Sequence, residues 1–239
     1  MIDKYLINLQ TVFPCDGAAG PNPRRISMFD NFNRAFIRDQ VGAQGQPVAS
    51  SAASNLHRGH AELKIFREQF GGASFCRGLY RAVAGADHAN FVNRIRDAFP
   101  AYADRVYPLA FDWLNRVFCA DFGRIIDSRP QVTIFGHLND DVCETPVDVL
   151  RFHNNDLIVE RDGLLQSELF EVWRRSRKLS QLPYAQCASF TVPLFLGGEY
   201  DAHNMDMTDA EMDWDITAQL LTQVRQMDDG DPVNAITIN

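Results

Sequence analysis

Residues Val106 to Asp121, VYPLAFDWLNRVFCAD, constrain the fold more than any other stretch of the chain. Two runs rich in β-branched and aromatic residues, Val106–Phe111 and Arg116–Asp121, are separated only by Asp112-Trp113-Leu114-Asn115. Asparagine tolerates the left-handed backbone that a tight turn needs, so the runs are expected to pair as neighbouring strands. Another strand is expected at Val132–Phe135, stopping at Gly136, with Asn139-Asp140-Asp141 as the turn after it. Pro146 to Leu150 then continues the sheet, and GLYRAV at 78–83 reads as a further short strand.

Helical spacing surrounds these strands. Leu63, Phe66 and Phe70 align on a helix over His57–Phe70 that Gly71-Gly72 stops, and Phe91, Ile95 and Phe99 align over Asp87–Phe99, followed by Pro100. A third helix is expected from Leu164, with Leu165, Leu169, Val172 and Trp173 on one face and Arg174, Arg175, Arg177 and Lys178 at the C-terminal end, where cations suit the dipole. Asn154 or Asn155 is the expected cap before it. Near the start, residues 5–13 suit a short helix, an amphipathic run opens at Met28, and Gly42–Ser54 has the small, polar composition of a connector. The pattern is α+β, mainly an antiparallel sheet flanked by helices.

The stretch Tyr184–Met227 reads as strand, turn, helix. Cys187 to Leu196 is a short apolar run ending at Gly197-Gly198, with Pro193 placing it at an edge or a bulge. Thr208-Asp209-Ala210-Glu211 fits a capping box, and Trp214, Thr217, Leu221 and Val224 recur at helical spacing. Its acids are unusual: Glu199, Asp201, Asp206, Asp209, Glu211, Asp213 and Asp215 follow one another with no Lys or Arg before Arg225. Residues 1–129 hold 16 Lys and Arg against 12 Asp and Glu, whereas residues 130–239 hold 7 against 19. An acidic half disfavours direct nucleic-acid binding there and favours encounter with a cationic partner.

Familiar catalytic signatures are missing. The chain has no GxSxG, no HExxH, no phosphate-cradling glycine loop and no paired Cys/His zinc spacing. His57 and His60 have i, i+3 spacing, yet no third ligand is placed, so no metal site and no cofactor is expected. Cys187, His153 and Asp156 can be drawn as a nucleophile set, but Cys187 lies in an apolar run where a thiol is usually inert. His137 and His203 have acids nearby in sequence without an identifiable nucleophile. The chain is therefore read as a non-enzyme. Cys15, Cys76, Cys119, Cys143 and Cys187 are odd in number and scattered, which points to reduced thiols. No stretch is apolar enough to span a membrane, and the expected location is the cytoplasm.

From Phe75 onward, SFCRGLYRAV, RIRDAFPAYADRV, FDWLNRVFCAD, FHNNDLIV, VPLFLGG and MTDAEMDWDITAQLL resemble, in that order, the bacterial type VI secretion immunity proteins that combine a GAD-like N-terminal portion with a C-terminal immunity domain. The resemblance covers residues 62–227. It leaves 1–60, read as N-terminal helices and a connector, unassigned, and implies a GAD-like portion at 61–105 and an immunity domain at 106–230, the last two separate or one continuous globule. It also implies binding and neutralisation of a cognate secreted toxin, a nuclease with a basic surface, in the producing cell. The alternative is a regulatory or scaffold module that binds a protein other than a toxin. Toxin contacts are expected at Asp201, Asp206, Asp209, Asp213 and Asp215, with Asp140, Asp141 and Glu144 as a second patch. The chain departs from the family at Asn115, where glycine is usual, at His137–Asp141, where a glycine-rich turn is usual, and at His203–Met207.

Overall fold

The computed structural model describes residues 27–39, 59–136, 141–194 and 197–224. The helix expected at 5–13, the connector at 42–54, and Cys15, His57, His137, Asp140 and Arg225 lie outside them. The strands are β1 (Ser74–Phe75), β2 (Tyr80–Ala82), β3 (Val106–Asp112), β4 (Val117–Ile126), β5 (Arg129–Gly136), β6 (Asp141–Asp148), β7 (Gln186–Phe190) and β8 (Met205–Asp209). The α-helices are α1 (Asp30–Ala35), α2 (Ala61–Phe70), α3 (His88–Ala98), α4 (Val149–Arg151), α5 (Leu157–Val159), α6 (Arg161–Leu165), α7 (Ser167–Ser176) and α8 (Ala210–Val224).

β1 to β6 form one six-stranded sheet in chain order, every neighbouring pair antiparallel, and β7 and β8 form a second antiparallel pair. Helices lie on both faces of the larger sheet, so the fold is α+β, as the sequence predicts. The expected turn joins β3 to β4. Asn115 has φ +63°, and the buried Asp112 carboxylate accepts from the amides of Leu114 at 3.0 Å and Arg116 at 2.9 Å. The register of β3 shifts between Pro108 and Ala110. A residue with no N–H to offer the ladder suits such an irregularity.

Alternation along the strands divides the core into two layers. Tyr107, Leu109, Phe118, Ala120, Val132 and Ile134 pack with α1, α2 and the helical run from α4 to α7. Val106, Phe111, Val117, Cys119 and Phe135 pack with Phe91 and Ile95 of α3 and Trp214 of α8. In the first layer Phe29, Phe32 and Phe36 are completely buried, and Phe32 meets Phe66, Phe70, Phe75, Tyr80 and the His153 ring. Burial of each such phenyl ring contributes about 1.5 to 3 kcal/mol. The amphipathic run that opens at Met28 is therefore built into the main core.

Three local expectations are corrected. The strand that was to run to Leu150 ends at Asp148, whose carboxylate accepts from the amides of Leu150 and Arg151 and starts α4. Asn154 and Asn155 cap no helix. They lie in a π-helical turn over Phe152–Asp156, where Asn154 accepts from the amide of Phe32 and donates to the carbonyl of Met28, fixing α1. The strand expected from Cys187 to Leu196 ends at Phe190, and Pro193 sits in the turn beyond it. Gly198 closes that turn by donating to the Pro193 carbonyl, and a Cβ there would collide with the Val192 oxygen.

Arg81 of β2 attaches the second sheet to the first. Its side chain is wholly buried, lies 4.3 Å from the Phe111 ring centroid, and donates to the carbonyls of Asp112, Pro183, Tyr184 and Gln186. Burial pulls its pKa down to about 10, so it remains charged at neutral pH. One guanidinium thus bonds carbonyls on both sides of the junction between β3 and the segment that leads into β7.

Candidate functional site

The start of α8 is not capped as the sequence suggests. Thr208 ends inside β8, which pairing with β7 holds in place and which sequence reading missed. Asp209 is the cap: its Oδ1 accepts from the amides of Glu211 at 2.9 Å and Met212 at 3.1 Å. Asp201 acts in the same way ahead of β8, accepting from the His203 amide at 2.7 Å and meeting its exposed ring at 2.6 Å. Those hydrogen bonds hold the Asp201 carboxyl below the usual range.

β8 and α8 together present Asp206, Asp209, Glu211 and Asp215 to solvent, with Met207 and Met212 exposed among them. Arg177 partly offsets the charge by pairing with Asp206 at 3.1 Å. Asp213, expected beside these acids at a partner surface, turns inward instead. It is 4% exposed, and its Oδ2 accepts from Asn115 Nδ2 at 2.9 Å. The Cys187 thiol lies beside the same carboxylate, and burial first of all pushes that thiol well above its ordinary pKa. Asp213 thus belongs to a buried polar node that joins β7, α8 and the β3–β4 turn.

In the second expected patch, Glu144 is exposed and engaged in ion pairs within the chain. Glu144 lies within reach of Arg105 at 3.4 Å, Arg124 at 3.3 Å and the Tyr102 hydroxyl at 3.0 Å. Arg105 in turn forms two bonds to the buried Asp121, which also accepts from Thr133. Burial pushes Asp121 up, but the hydrogen bonds from Arg105, Gly123 and Thr133 bring it below its ordinary value. Asp140 and the side chain of Asp141 lie outside what is described.

The nucleophile set drawn from the sequence is not assembled. His153 is fully buried among Phe29, Phe32, Phe66 and Phe152, with Nδ1 on the Val149 carbonyl at 2.8 Å and Nε2 on the Tyr80 hydroxyl at 2.9 Å. Since the carbonyl can only accept, Nδ1 carries the proton and Nε2 takes the tyrosine's. Desolvation depresses this imidazole to about 4. Asp156 pairs with Arg151 at 3.4 Å, and Cys187 is buried beside Asp213. Among the described residues, no group of three or more His, Cys, Asp or Glu side chains is placed to hold a metal ion, and no helix is long and apolar enough to cross a membrane.

Beside the acidic face, α3 and α8 leave a cleft of ≈ 360 Å³ lined by Arg94, Asp97, Trp214, Asp215, Ala218 and Thr222 among others. Sequence reading did not single out Arg94 or Asp97. Their only signal was a cation and an acid three residues apart on an amphipathic helix.

No family model matches the chain, and no curated protein matches it. Among solved structures, it is similar to the crystal structure of Atu4351 from Agrobacterium tumefaciens, with a TM-score of 0.50 and 14% identity over 80% of this chain and 89% of that one. That likeness is one of fold.

Proposed function

We propose that this chain is an immunity protein that binds a type VI secretion antibacterial effector, a DNase, and neutralises it in the cytoplasm of the producing cell. The observation that carries the reading is the face formed by β8 and α8, where Asp206, Asp209, Glu211 and Asp215 surround the exposed Met207 and Met212. A nuclease must present cations to DNA, and an acidic surface with adaptable apolar contacts is complementary to it. The strand–helix element bearing these groups is anchored by Arg81, Asn115 and Trp214, so the face is held in place before any partner arrives. The sequence resemblance supplies the class of partner.

Co-expression provides the test. The effector-like product of the neighbouring gene is expressed with and without this chain, and survival and co-purification are scored. Rescue together with a stable complex is the expected result. Failure of both rescue and complex formation would sink the proposal, and a complex with a partner that harms no cell would favour a scaffold role.

A further inference from the structure

Arg94 of α3 holds a guanidinium whose hydrogen-bonding capacity is unspent. The side chain is about one-tenth exposed, yet among the described residues it donates no hydrogen bond. The carboxylate of Glu211 stands 3.9 Å away, Nε is sealed from solvent without a partner, and the group rests 4.8 Å from the Phe91 ring centroid. A buried guanidinium is normally bonded to carbonyls or carboxylates, as Arg81 and Arg174 are in this same chain. Arg94 differs from them in lining a cleft: its Nε is sealed, as that of Arg81 is, but no acceptor within the described residues bonds its terminal nitrogens, and an occupant of the cleft can supply one.

The rest of the cleft narrows the choice. Asp97 and Asp215 line it and are exposed, and Glu211 lies nearby, so a free anion would meet repulsion on approach. An occupant that suits both must bring an oxygen acceptor to Arg94 and a cation to Asp97 and Asp215. Ala218, half-buried above the buried Trp214, offers a small apolar surface to a methylene stem. A volume of ≈ 360 Å³ is that of one or two residues of polypeptide rather than a whole helix.

We propose that the α3–α8 cleft is the socket for a lysine- or arginine-bearing loop of the bound effector. An oxygen of that loop accepts from Arg94 while its basic side chain meets Asp97 and Asp215. The inference rests on the immunity reading and assigns the anchor point of the complex.

The experiment measures association and dissociation rates of the full chain with the effector for wild type, Arg94→Gln, Asp215→Lys and, as a control outside the cleft, Asp206→Lys. A socket residue holds the complex together, so Arg94→Gln and Asp215→Lys are each expected to raise the dissociation rate about tenfold or more. Asp206→Lys is expected to slow association and leave dissociation within about twofold. If wild type itself fails to bind, the immunity reading and the socket fall together. If wild type binds and Asp215→Lys dissociates at the wild-type rate, the socket alone is overturned, and this exposed position decides the matter even where Arg94→Gln misfolds. Tight binding of free L-arginine by the chain alone would assign the cleft to a small molecule and would also overturn the proposal.

Discussion

Asn115 Nδ2 donates to Asp213 Oδ2 at 2.9 Å and to the carbonyl of Ala210 at 2.7 Å, so the turn between β3 and β4 grips the first turn of α8. The same residue supplies the left-handed backbone of that turn, at φ +63°. Two demands, one conformational and one chemical, therefore meet on a single side chain.

Replacing Asn115 separates them. Asn115→Gly keeps the backbone freedom and loses both bonds to α8, whereas Asn115→Ala loses the bonds and adds the left-handed penalty. Destabilisation of about 1 to 3 kcal/mol is expected for glycine, with about 1 kcal/mol more for alanine. Urea denaturation of the two variants measures the difference, and equal midpoints would contradict it.

His153 makes the fold sensitive to acid in a defined window. Its folded pKa is about 4, and in the unfolded chain an imidazole titrates near about 6.5. Between these values the unfolded state holds a proton that the folded state does not, so the contribution is complete above the upper value and declines as pH falls towards the lower one. Lowering the pH from 7 to 5 is expected to cost about 2 kcal/mol of stability from this group. The loss should vanish in His153→Gln, whatever that variant's own stability, when urea midpoints are compared at the two pH values.

Arg81→Met leaves the carbonyls of Asp112, Pro183, Tyr184 and Gln186 without their donor. A loss of about 3 kcal/mol or more is expected, and Arg81→Lys should restore little of it because an ammonium cannot reproduce the planar fork. Hydrogen exchange provides the local readout. The amide of Ala188, which donates to the Trp113 carbonyl, should exchange faster in either variant than amides of β4 and β5.

Charge reversal on the acidic face should discriminate surface from core. Asp206, Glu211 and Asp215 changed together to Lys are expected to slow association with a basic effector about tenfold or more at low salt, with the gap closing as salt rises. The melting temperature should stay within a few degrees of wild type, as surface changes usually do. Asp213→Lys, by contrast, buries a cation against Asn115 and is expected to prevent folding, which circular dichroism would detect.

What could be read from the sequence divides along a physical line. The β3–β4 pair, β5, and the helices α2 and α3 follow from local patterns: apolar alternation, a turn residue suited to positive φ, and helical spacing that ends at Gly71 or before Pro100. β8 was illegible because Asp206 and Met207 are both exposed there, so the period that marks a strand is blurred. The cap at Asp209 was misplaced by one residue, since Thr208 and Asp209 are both good caps and only the end of β8 chooses between them. The buried structural roles of Arg81, Asp121 and His153 gave no signal. Each is polar, buried and bonded to at least one partner distant in the chain, Gln186 for Arg81, Arg105 for Asp121 and Tyr80 for His153, and sequence spacing carries no trace of such pairings. The acidic face was legible as charge. Which acid serves the core was not, because the inward turn of Asp213 depends on Asn115, nearly a hundred residues earlier.

The π-helical turn at Phe152–Asp156 gives α1 a different standing from the other helices. The widened turn lets Asn154 reach the backbone at Met28 and Phe32 while His153 still points into the phenylalanine cluster. A short segment from early in the chain is thereby clasped by a distant one, and α1 is only six residues long, too short to be helical alone. During synthesis its aromatic residues leave the ribosome well before the clasp exists. Phe29, Phe32 and Phe36 would then be exposed together in a nascent chain, an apolar surface that stays open to aggregation until the π turn has been made.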